Sequence, residues 1–144
     1  METRRQDEDV VKLDGVPQVC DDMLQDMCHH QQMFMDQIGV PVLEVFGRPS
    51  KISVSDMVRM LTSYSQTCTT ALACETTELL DALPWKPWKK SYVEVDLHNV
   101  HLEIVDIFHF VLELALIWGM DAKLIHEIYL KKMQENIDRQ KKGY

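Results

Sequence analysis

Two pairs of acidic residues constrain the fold of this chain more than any other feature of its sequence. The first pair is Glu75 and Glu78, and the second is Glu103 and Asp106. Each pair has i, i+3 spacing, so on an α-helix its two carboxylates lie on one face. Four carboxylates that converge from two neighbouring helices repel one another and are costly to desolvate. A hard divalent cation removes that cost, and Mg²⁺ characteristically binds carboxylates, waters and substrate phosphates together. The pairs therefore predict a helical protein that handles a phosphate-bearing substrate through Mg²⁺.

The composition agrees with a helical protein. The chain has 144 residues, of which 46% are hydrophobic, and it contains only five glycines and five prolines. This length is typical of one domain with a real core, and this composition favours an ordered, helix-rich chain. We expect an all-α, four-helix-bundle domain over residues 17–144, preceded by a polar N-terminal arm at residues 1–16.

Charge and cysteine content restrict the partners and the compartment. The net charge of −8 argues against nucleic-acid binding, which requires a basic surface. The four cysteines form no CxxC motif, so we interpret them as reduced thiols of a cytoplasmic protein. The charged start of the chain has no apolar signal segment. The most apolar stretch, residues 102–118, spans only 17 residues and carries four ionisable side chains, which is typical of a core helix and predicts no membrane partner.

Four helices are predicted, at about residues 18–38, 55–83, 92–118 and 122–139. Gly39 ends the first helix, and Ser53 or Ser55 caps the second. The pattern Ser91-x-x-Glu94 resembles a capping box at the start of the third. Gly119 ends that helix, and Asp121 caps the fourth.

The third helix carries an acidic stripe at offsets of four, seven, eleven and fourteen residues. Its members are Asn99, Glu103, Asp106, Phe110 and Glu113. An isolated acidic pair of this kind is usually a solvated face. Here large apolar residues such as Val105 and Phe108 flank the acids, and charged residues are seldom embedded in such a run without a function.

Two further patterns are suited to binding a nucleotide. In the segment WKPWKK, Trp85 and Trp88 alternate with lysines that neutralise phosphate, although the same residues also suit a solubilised cap on the core. Lys132, Asn136 and Arg139 have offsets of four and seven, so they share one face of the fourth helix. Basic residues are common at helix C-termini, so this second pattern alone is weak.

Histidine-based metal sites are less consistent with the sequence. A carboxylate-bridged di-iron bundle needs a Glu-x-x-His motif on each of two helices, whereas the chain offers only Asp106 and His109. A zinc site at His98 and His101 has no obvious further ligands.

Taken together, these motifs resemble the all-α NTP pyrophosphatase superfamily, which includes the MazG-like proteins. Within it the chain is most similar to the dimeric dUTPases and the T-even-phage dCTPase–dUTPase. The resemblance is carried by ACETTELLDALPWKPWKK, NVHLEIVDIFHFVLELALIWGMD and IYLKKMQENIDRQKKGY. It extends from about Cys74 to Tyr144, which is about half of the chain.

The resemblance implies a homodimer that hydrolyses a deoxynucleoside triphosphate to the monophosphate and pyrophosphate. It implies Mg²⁺, with Mn²⁺ as a substitute, held by Glu75, Glu78, Glu103 and Asp106. Glu75 is then the first choice as general base and Glu78 the second. The substrate-binding residues implied by the resemblance are Gln32, Trp85, Lys86, Lys89, Lys132, Asn136, Arg139 and Tyr144.

The first helix departs from the family pattern. Dimeric dUTPases typically have QQxLND there, in which the Asn contributes to recognition of the uracil edge, whereas this chain has Met35 in place of that Asn. A thioether cannot replace an amide as donor and acceptor. The sequence therefore does not decide between uracil and cytosine, that is, between dUTP and dCTP as the substrate. A purine or modified dNTP, and a non-catalytic nucleotide-binding module, are the alternatives.

Overall fold

The computed structural model describes residues 22–42, 52–89 and 94–143, and these form four α-helices without a strand. The helices are α1 (Met23–Ile38), α2 (Val54–Asp81), α3 (Leu97–Ile117) and α4 (Ala122–Lys141). The predicted all-α fold class is confirmed. The predicted arm at residues 1–16 lies outside the described residues. No helix in the described part of the chain combines the length and the apolar character that a membrane crossing needs.

Most of the predicted helix ends are confirmed, because each depends on a local contact. The Ser53 hydroxyl accepts a hydrogen bond from the backbone N–H of Asp56 at 3.1 Å. Asp121 caps α4 in the same way, at 2.8 Å from the N–H of Leu124. Gly39 ends α1 in the left-handed conformation, with φ of 75°, which costs least for glycine.

The predicted starts of the first and third helices are wrong. Helix α3 begins at Leu97, and its cap is Asp96, whose carboxylate accepts from the backbone N–H of Asn99 at 3.1 Å. Aspartate is a strong N-cap residue, and Asp96 stands directly before the apolar run, so the helix starts there. Asp22 likewise caps α1, so that helix begins at Met23 and not at residue 18.

Helices α2 and α3 run antiparallel along each other. The indole of Trp118 donates to the hydroxyl of Ser65 at 2.9 Å, and the thiol of Cys68 donates to the carbonyl of Phe110 at 3.4 Å. The position in α3 therefore goes back along the chain as the position in α2 advances. Helix α1 packs across α3, and α4 contacts α1. Helix α3 is therefore central, as the sequence predicted, and it holds its acidic pair beside that of α2.

Two small clusters of buried residues form the core, and Leu116 of α3 contacts both. The first contains Met35, Val40, Leu61 and Ile117, and the second contains Cys28, Leu112 and Ala122. Both clusters involve the C-terminal half of α3, whereas Glu103 and Asp106 lie in its N-terminal half and belong to neither cluster.

A large part of the apolar surface of this single chain is exposed. On α3, Val105 is 51% exposed, Phe108 46% and Val111 44%. Contiguous apolar patches of this kind are uncommon on monomeric proteins and mark surfaces that bind other molecules. The sequence predicted a core helix here, but within one chain the apolar residues next to the acids of α3 are exposed.

The cysteines of the described residues, Cys28, Cys68 and Cys74, are free thiols. Burial, followed by the charge of Glu113, raises the pKa of Cys68 to about 11. The nucleophile in such a thiol is the thiolate, which is scarce this far below the pKa. Cys68 therefore acts as a small apolar core residue.

Candidate active site

Three carboxylates converge where α2 and α3 lie side by side. Glu75 comes from α2, while Glu103 and Asp106 come from α3 one turn apart. One carboxylate oxygen from each residue lies within 4.8 Å of the other two. We call these three residues the acidic cluster. The structure thus brings together one member of the first predicted pair and both members of the second.

The donor set and its spacing suit a hard divalent cation. Mg²⁺ binds oxygen ligands at about 2.1 Å, so two oxygens on opposite sides of one ion are separated by about 4.2 Å. The oxygens of the acidic cluster lie within 4.8 Å of one another, close enough for side-chain rotations, such as one of the exposed Asp106, to bring them to one ion.

The electrostatics of Glu75 show that the carboxylates repel one another in the protein alone. Partial desolvation, and then the charges of Glu78, Asp106 and Glu103, raise the pKa of Glu75 above its ordinary value. Each of these neighbours disfavours the ionised form, and within the described residues no cation contributes an opposing effect. A bound cation would instead favour the ionised form of these carboxylates.

The acidic cluster borders a cavity of about 860 Å³. Helices α1, α2 and α3 form its walls. Its lining residues are Asp26, Met27, His30, Gln31, Phe34, Glu75, Glu78, Val105, Asp106, Phe108, His109, Phe110, Leu112 and Glu113. The lining therefore combines five carboxylates with apolar and aromatic side chains, and such a mixture of apolar walls and a few polar groups is usual in small-molecule sites.

Glu78 lines this cavity but lies outside the group of oxygens within 4.8 Å. It is exposed, and its charge acts on Glu75 one turn earlier in α2. Three of the four predicted acidic residues therefore converge, and the fourth, Glu78, lies beside them.

The Trp/Lys loop, residues 85–90, follows α2, and its described residues, 85–89, do not line the cavity. Trp85 and Trp88 contact each other edge to face with ring centroids 5.7 Å apart. The Lys86 ammonium lies 5.2 Å from the centroid of the Trp85 ring and 3.9 Å from an Asp81 carboxylate oxygen. Lys89 is exposed. The loop is therefore folded on itself, and it begins seven residues beyond Glu78.

The predicted phosphate-binding residues of α4 are also separate from the cavity. Lys132 and Asn136 line a groove of about 480 Å³ together with Tyr129, Met133, Ile137, Gln140 and Lys141, all on α4. Lys132 forms an ion pair with Glu135 at 2.6 Å. Arg139 is exposed in the last turns of the helix, and Tyr144 lies outside the described residues.

On α1, the side chain that reaches the cavity is Gln31 and not Gln32. Gln32 is half-buried and its amide donates to Asp36 at 2.9 Å. Met35 is fully buried in the core against α2 and α3. The position that departs from the family pattern therefore contributes to packing in this structure and does not face the cavity.

Sequence reasoning missed the contact between Gln31 and His109. The Oε1 atom of Gln31 lies 2.9 Å from Nδ1 of His109. The only signal in the sequence was the i, i+3 spacing of Asp106 and His109, which places that histidine on the acidic face of α3. Nothing local in the sequence pairs it with a residue on α1.

Comparison with known protein families agrees with this geometry. A family model described as dUTPase matches residues 49–123, which is more than half of the chain. The chain belongs to this dUTPase family. The dUTPase match contains all of α2 and α3, and with them all four acidic residues, so the resemblance predicted from the sequence is confirmed. It excludes α1 and most of α4.

Individual relatives of this dUTPase-family chain come from phages. A dCTP pyrophosphatase of enterobacteria phage T4 is 38% identical over 71 residues, covering 42% of this chain and 42% of the relative. A dCTP pyrophosphatase of enterobacteria phage LZ5 is 37% identical over 71 residues, covering 42% and 41%. A DNA replication protein of phage T4 is 37% identical over 59 residues, covering 33% and 15%. The chain thus spans less than half the length of these relatives, and no solved structure matches it.

Proposed function

We propose that this protein is a Mg²⁺-dependent diphosphatase for a deoxypyrimidine nucleoside triphosphate, dUTP or dCTP or both. The products are the monophosphate and pyrophosphate, and the role is control of the nucleotide pool of the cytoplasm. The observation that supports the proposal most is the convergence of Glu75, Glu103 and Asp106 inside the region matched by the dUTPase family. The family description supplies dUTP as one candidate substrate, and the names of the phage dCTP pyrophosphatases supply dCTP as the other.

The proposed mechanism assigns the metal to the four carboxylates. Glu75, Glu103 and Asp106 would hold Mg²⁺, or Mn²⁺ in its place, with Glu78 beside them. Such a cation would activate water and neutralise charge on the phosphates. Glu75 would accept a proton from the attacking water. Glu75 is the first choice as general base, and Glu78 is the second choice.

The remaining substrate contacts are proposed for side chains outside the cavity. A nucleoside triphosphate is strongly anionic, so Lys86, Lys89, Lys132 and Arg139 offer the charge that the acidic wall lacks. Gln32, Trp85, Asn136 and Tyr144 complete the proposed set. The loop and the α4 groove have to approach the cavity for this, by closure over the nucleotide or from a second protomer.

We further propose that the protein is a homodimer. The exposed apolar side chains of α3, together with those of α4 such as Tyr129 at 65% exposure, leave more apolar surface than a monomer normally presents. We expect light scattering coupled to size exclusion to give twice the chain mass of 16.8 kDa. A charged residue in this surface, Val111→Glu, is expected to shift the protein toward the monomer, whereas Lys123→Glu on exposed α4 surface is not. A monomeric wild type at micromolar concentration would contradict the proposal.

The alternatives differ in their substrate profiles. We expect initial rates with Mg²⁺ to be highest for dUTP or dCTP within a panel of dUTP, dCTP, dTTP, dATP, dGTP and the ribonucleotides UTP and CTP. Maximal rates on a purine or on modified nucleotides would replace the proposed substrate. Binding without turnover on every member would instead support a non-catalytic nucleotide-binding module.

A further inference from the structure

Helix α3 carries a regular, mostly apolar stripe on a side that α1 and α2 leave uncovered. Helix α1 meets α3 at His109 and Leu112, and α2 meets it at Phe110. The helical repeat places the stripe on a third side of α3. Its members, which we call the α3 seam, are Leu97, His101, Ile104, Phe108, Val111, Ala115 and Trp118.

The spacing of the α3 seam is that of a coiled coil. Its members are separated by four and three residues in strict alternation, from Leu97 to Trp118, which is three heptads. This 3.5-residue repeat lets a second helix lie along the whole stripe. The seam is open within one chain, since Leu97 is 63% exposed, Ile104 45% and Trp118 44%.

The α3 seam contains no Asp, Glu, Lys or Arg. With the seam residues at heptad positions a and d, Glu103 falls at c, and Asp106 and Glu113 fall at f, so the acids of α3 point away from a helix on the seam. Two copies of a chain with a net charge of −8 repel each other over most of their surface. A charge-free face is where they can approach, whereas an acidic or basic partner would find no complementary charge there.

We propose that two copies of this protein dimerise by packing their α3 seams against each other in antiparallel orientation. This inference rests on the homodimer of the proposed function and names the surface that forms it. About half of each large apolar side chain on this side is exposed, on the order of 100 Å² per side chain. Six of them from each copy bury on the order of 1,200 Å² together, which is the lower limit of a stable interface. These six are Leu97, Ile104, Val105, Phe108, Val111 and Trp118.

The order of side-chain sizes along the α3 seam favours the antiparallel orientation. A parallel pair would place two Trp118 side chains together and two Ala115 side chains together, which crowds one layer and leaves a gap in the next. An antiparallel pair places Trp118 near the partner's Leu97, and Ala115 near the partner's His101. The acidic clusters, both in N-terminal halves of α3, are then also offset along the pair, which reduces their repulsion.

The pairing has a consequence for the cavity. Phe108 lies at the centre of the α3 seam and also lines the cavity, as does Val105 beside it. A second α3 packed on the seam would hold the Phe108 ring between the two copies. The partner helix would therefore fix the position of one aromatic side chain of the cavity wall.

Cross-linking through introduced cysteines tests the surface and the orientation together. In the full-length chain, Cys20 and the exposed Cys74 are first replaced by Ser. His101→Cys and Ala115→Cys are then made singly and together, and each protein is treated with a short bismaleimide. Covalent dimers are counted on denaturing gels.

We expect the double variant to form covalent dimers and each single variant to form none. Residue 101 lies beside the partner's residue 115 in the antiparallel pair, whereas the two copies of residue 101 are about 21 Å apart at 1.5 Å per residue. Residues 101 and 115 of one chain are separated by the same distance, so the linker cannot join them within a chain. Lys123→Cys, at an exposed position of α4, controls for random collisions and should form no dimer.

Both substitutions are small changes, because His101 is exposed and Ala115 is half-buried. Circular dichroism melting curves verify that each variant folds. If the double variant does not fold, Leu97→Cys and Phe108→Cys carry the test singly. We expect Phe108→Cys, at the centre of the seam, to link to its own copy, and Leu97→Cys, at the end, not to link.

The outcomes distinguish this inference from the proposed function. Covalent dimers from each single variant would show a parallel pair and overturn the inference. The absence of dimers from the folded double variant, in a protein that light scattering shows to be dimeric, would place the interface elsewhere and also overturn it. In both cases the proposed homodimer and hydrolysis stand. A monomeric wild type would overturn the homodimer as well, while the nucleotide panel tests the hydrolysis separately.

Discussion

Replacing Glu103 with Gln is expected to lower nucleotide hydrolysis by about a thousandfold while leaving the helices intact. The amide retains the size of the side chain but removes one of the three charges of the acidic cluster. A preorganised charged group at the site of reaction contributes on the order of a hundredfold to a thousandfold in rate, and loss of a ligand also weakens the cation itself. Initial rates with the preferred dNTP at saturating Mg²⁺ measure the effect.

The matched control is Glu127→Gln, which makes the same chemical change at an exposed position of α4 outside the cavity. Its rate is expected to equal that of the wild type. A folded Glu103→Gln protein with the wild-type rate would show that the acidic cluster is not the metal site.

Removal of divalent cations is expected to abolish turnover completely, and added Mg²⁺ to restore it. The neighbouring carboxylates already raise the pKa of Glu75. Without a cation, these negative carboxylates would repel the negative phosphates of the nucleotide, and this repulsion would oppose binding. Rates after dialysis against a chelator, and after addition of Mg²⁺, Mn²⁺ or Na⁺, measure this requirement. The Na⁺ arm at matched ionic strength controls for screening.

The melting temperature of the protein tests the same metal requirement without a measurement of activity. Binding to the folded state alone stabilises it by about 1.4 kcal/mol when the cation is at ten times its dissociation constant, which raises the melting temperature by several degrees. We expect this rise in the wild type and in Glu127→Gln, but a much smaller one in Glu103→Gln. In the absence of cations, Glu103→Gln should melt at or above the wild-type temperature, because the repulsion within the acidic cluster is relieved. Full turnover in cation-free buffer would contradict the metal assignment.

Features that depend on neighbours along the chain were predictable from the sequence. The i, i+3 spacing placed each acidic pair on one helical face, and the apolar character of α3 made it central. The caps at Ser53 and Asp121 depend only on the next turn. The start of α3 was missed because two capping patterns competed a few residues apart, and the stronger cap, Asp96, adjoins the apolar run.

Features that depend on how the helices pack were not predictable in the same way. Gln31 and Gln32 are adjacent, so only the rotation of α1 against α3 decides that Gln31 reaches the cavity while Gln32 pairs with Asp36. Met35 looked like a lost base contact, yet packing places it in the core. The spacing of Lys132 and Asn136 predicted that they share one face of α4. Their separation from the cavity depends on how α4 packs against the other helices.

The most direct test of the central claim is the identification of the products formed from dUTP and dCTP with purified protein and Mg²⁺. From the wild type we predict equal amounts of deoxynucleoside monophosphate and pyrophosphate, with no diphosphate at any time, and from Glu103→Gln about a thousandfold slower formation of the same products. Release of orthophosphate with a deoxynucleoside diphosphate, or no product from either nucleotide, would contradict the account.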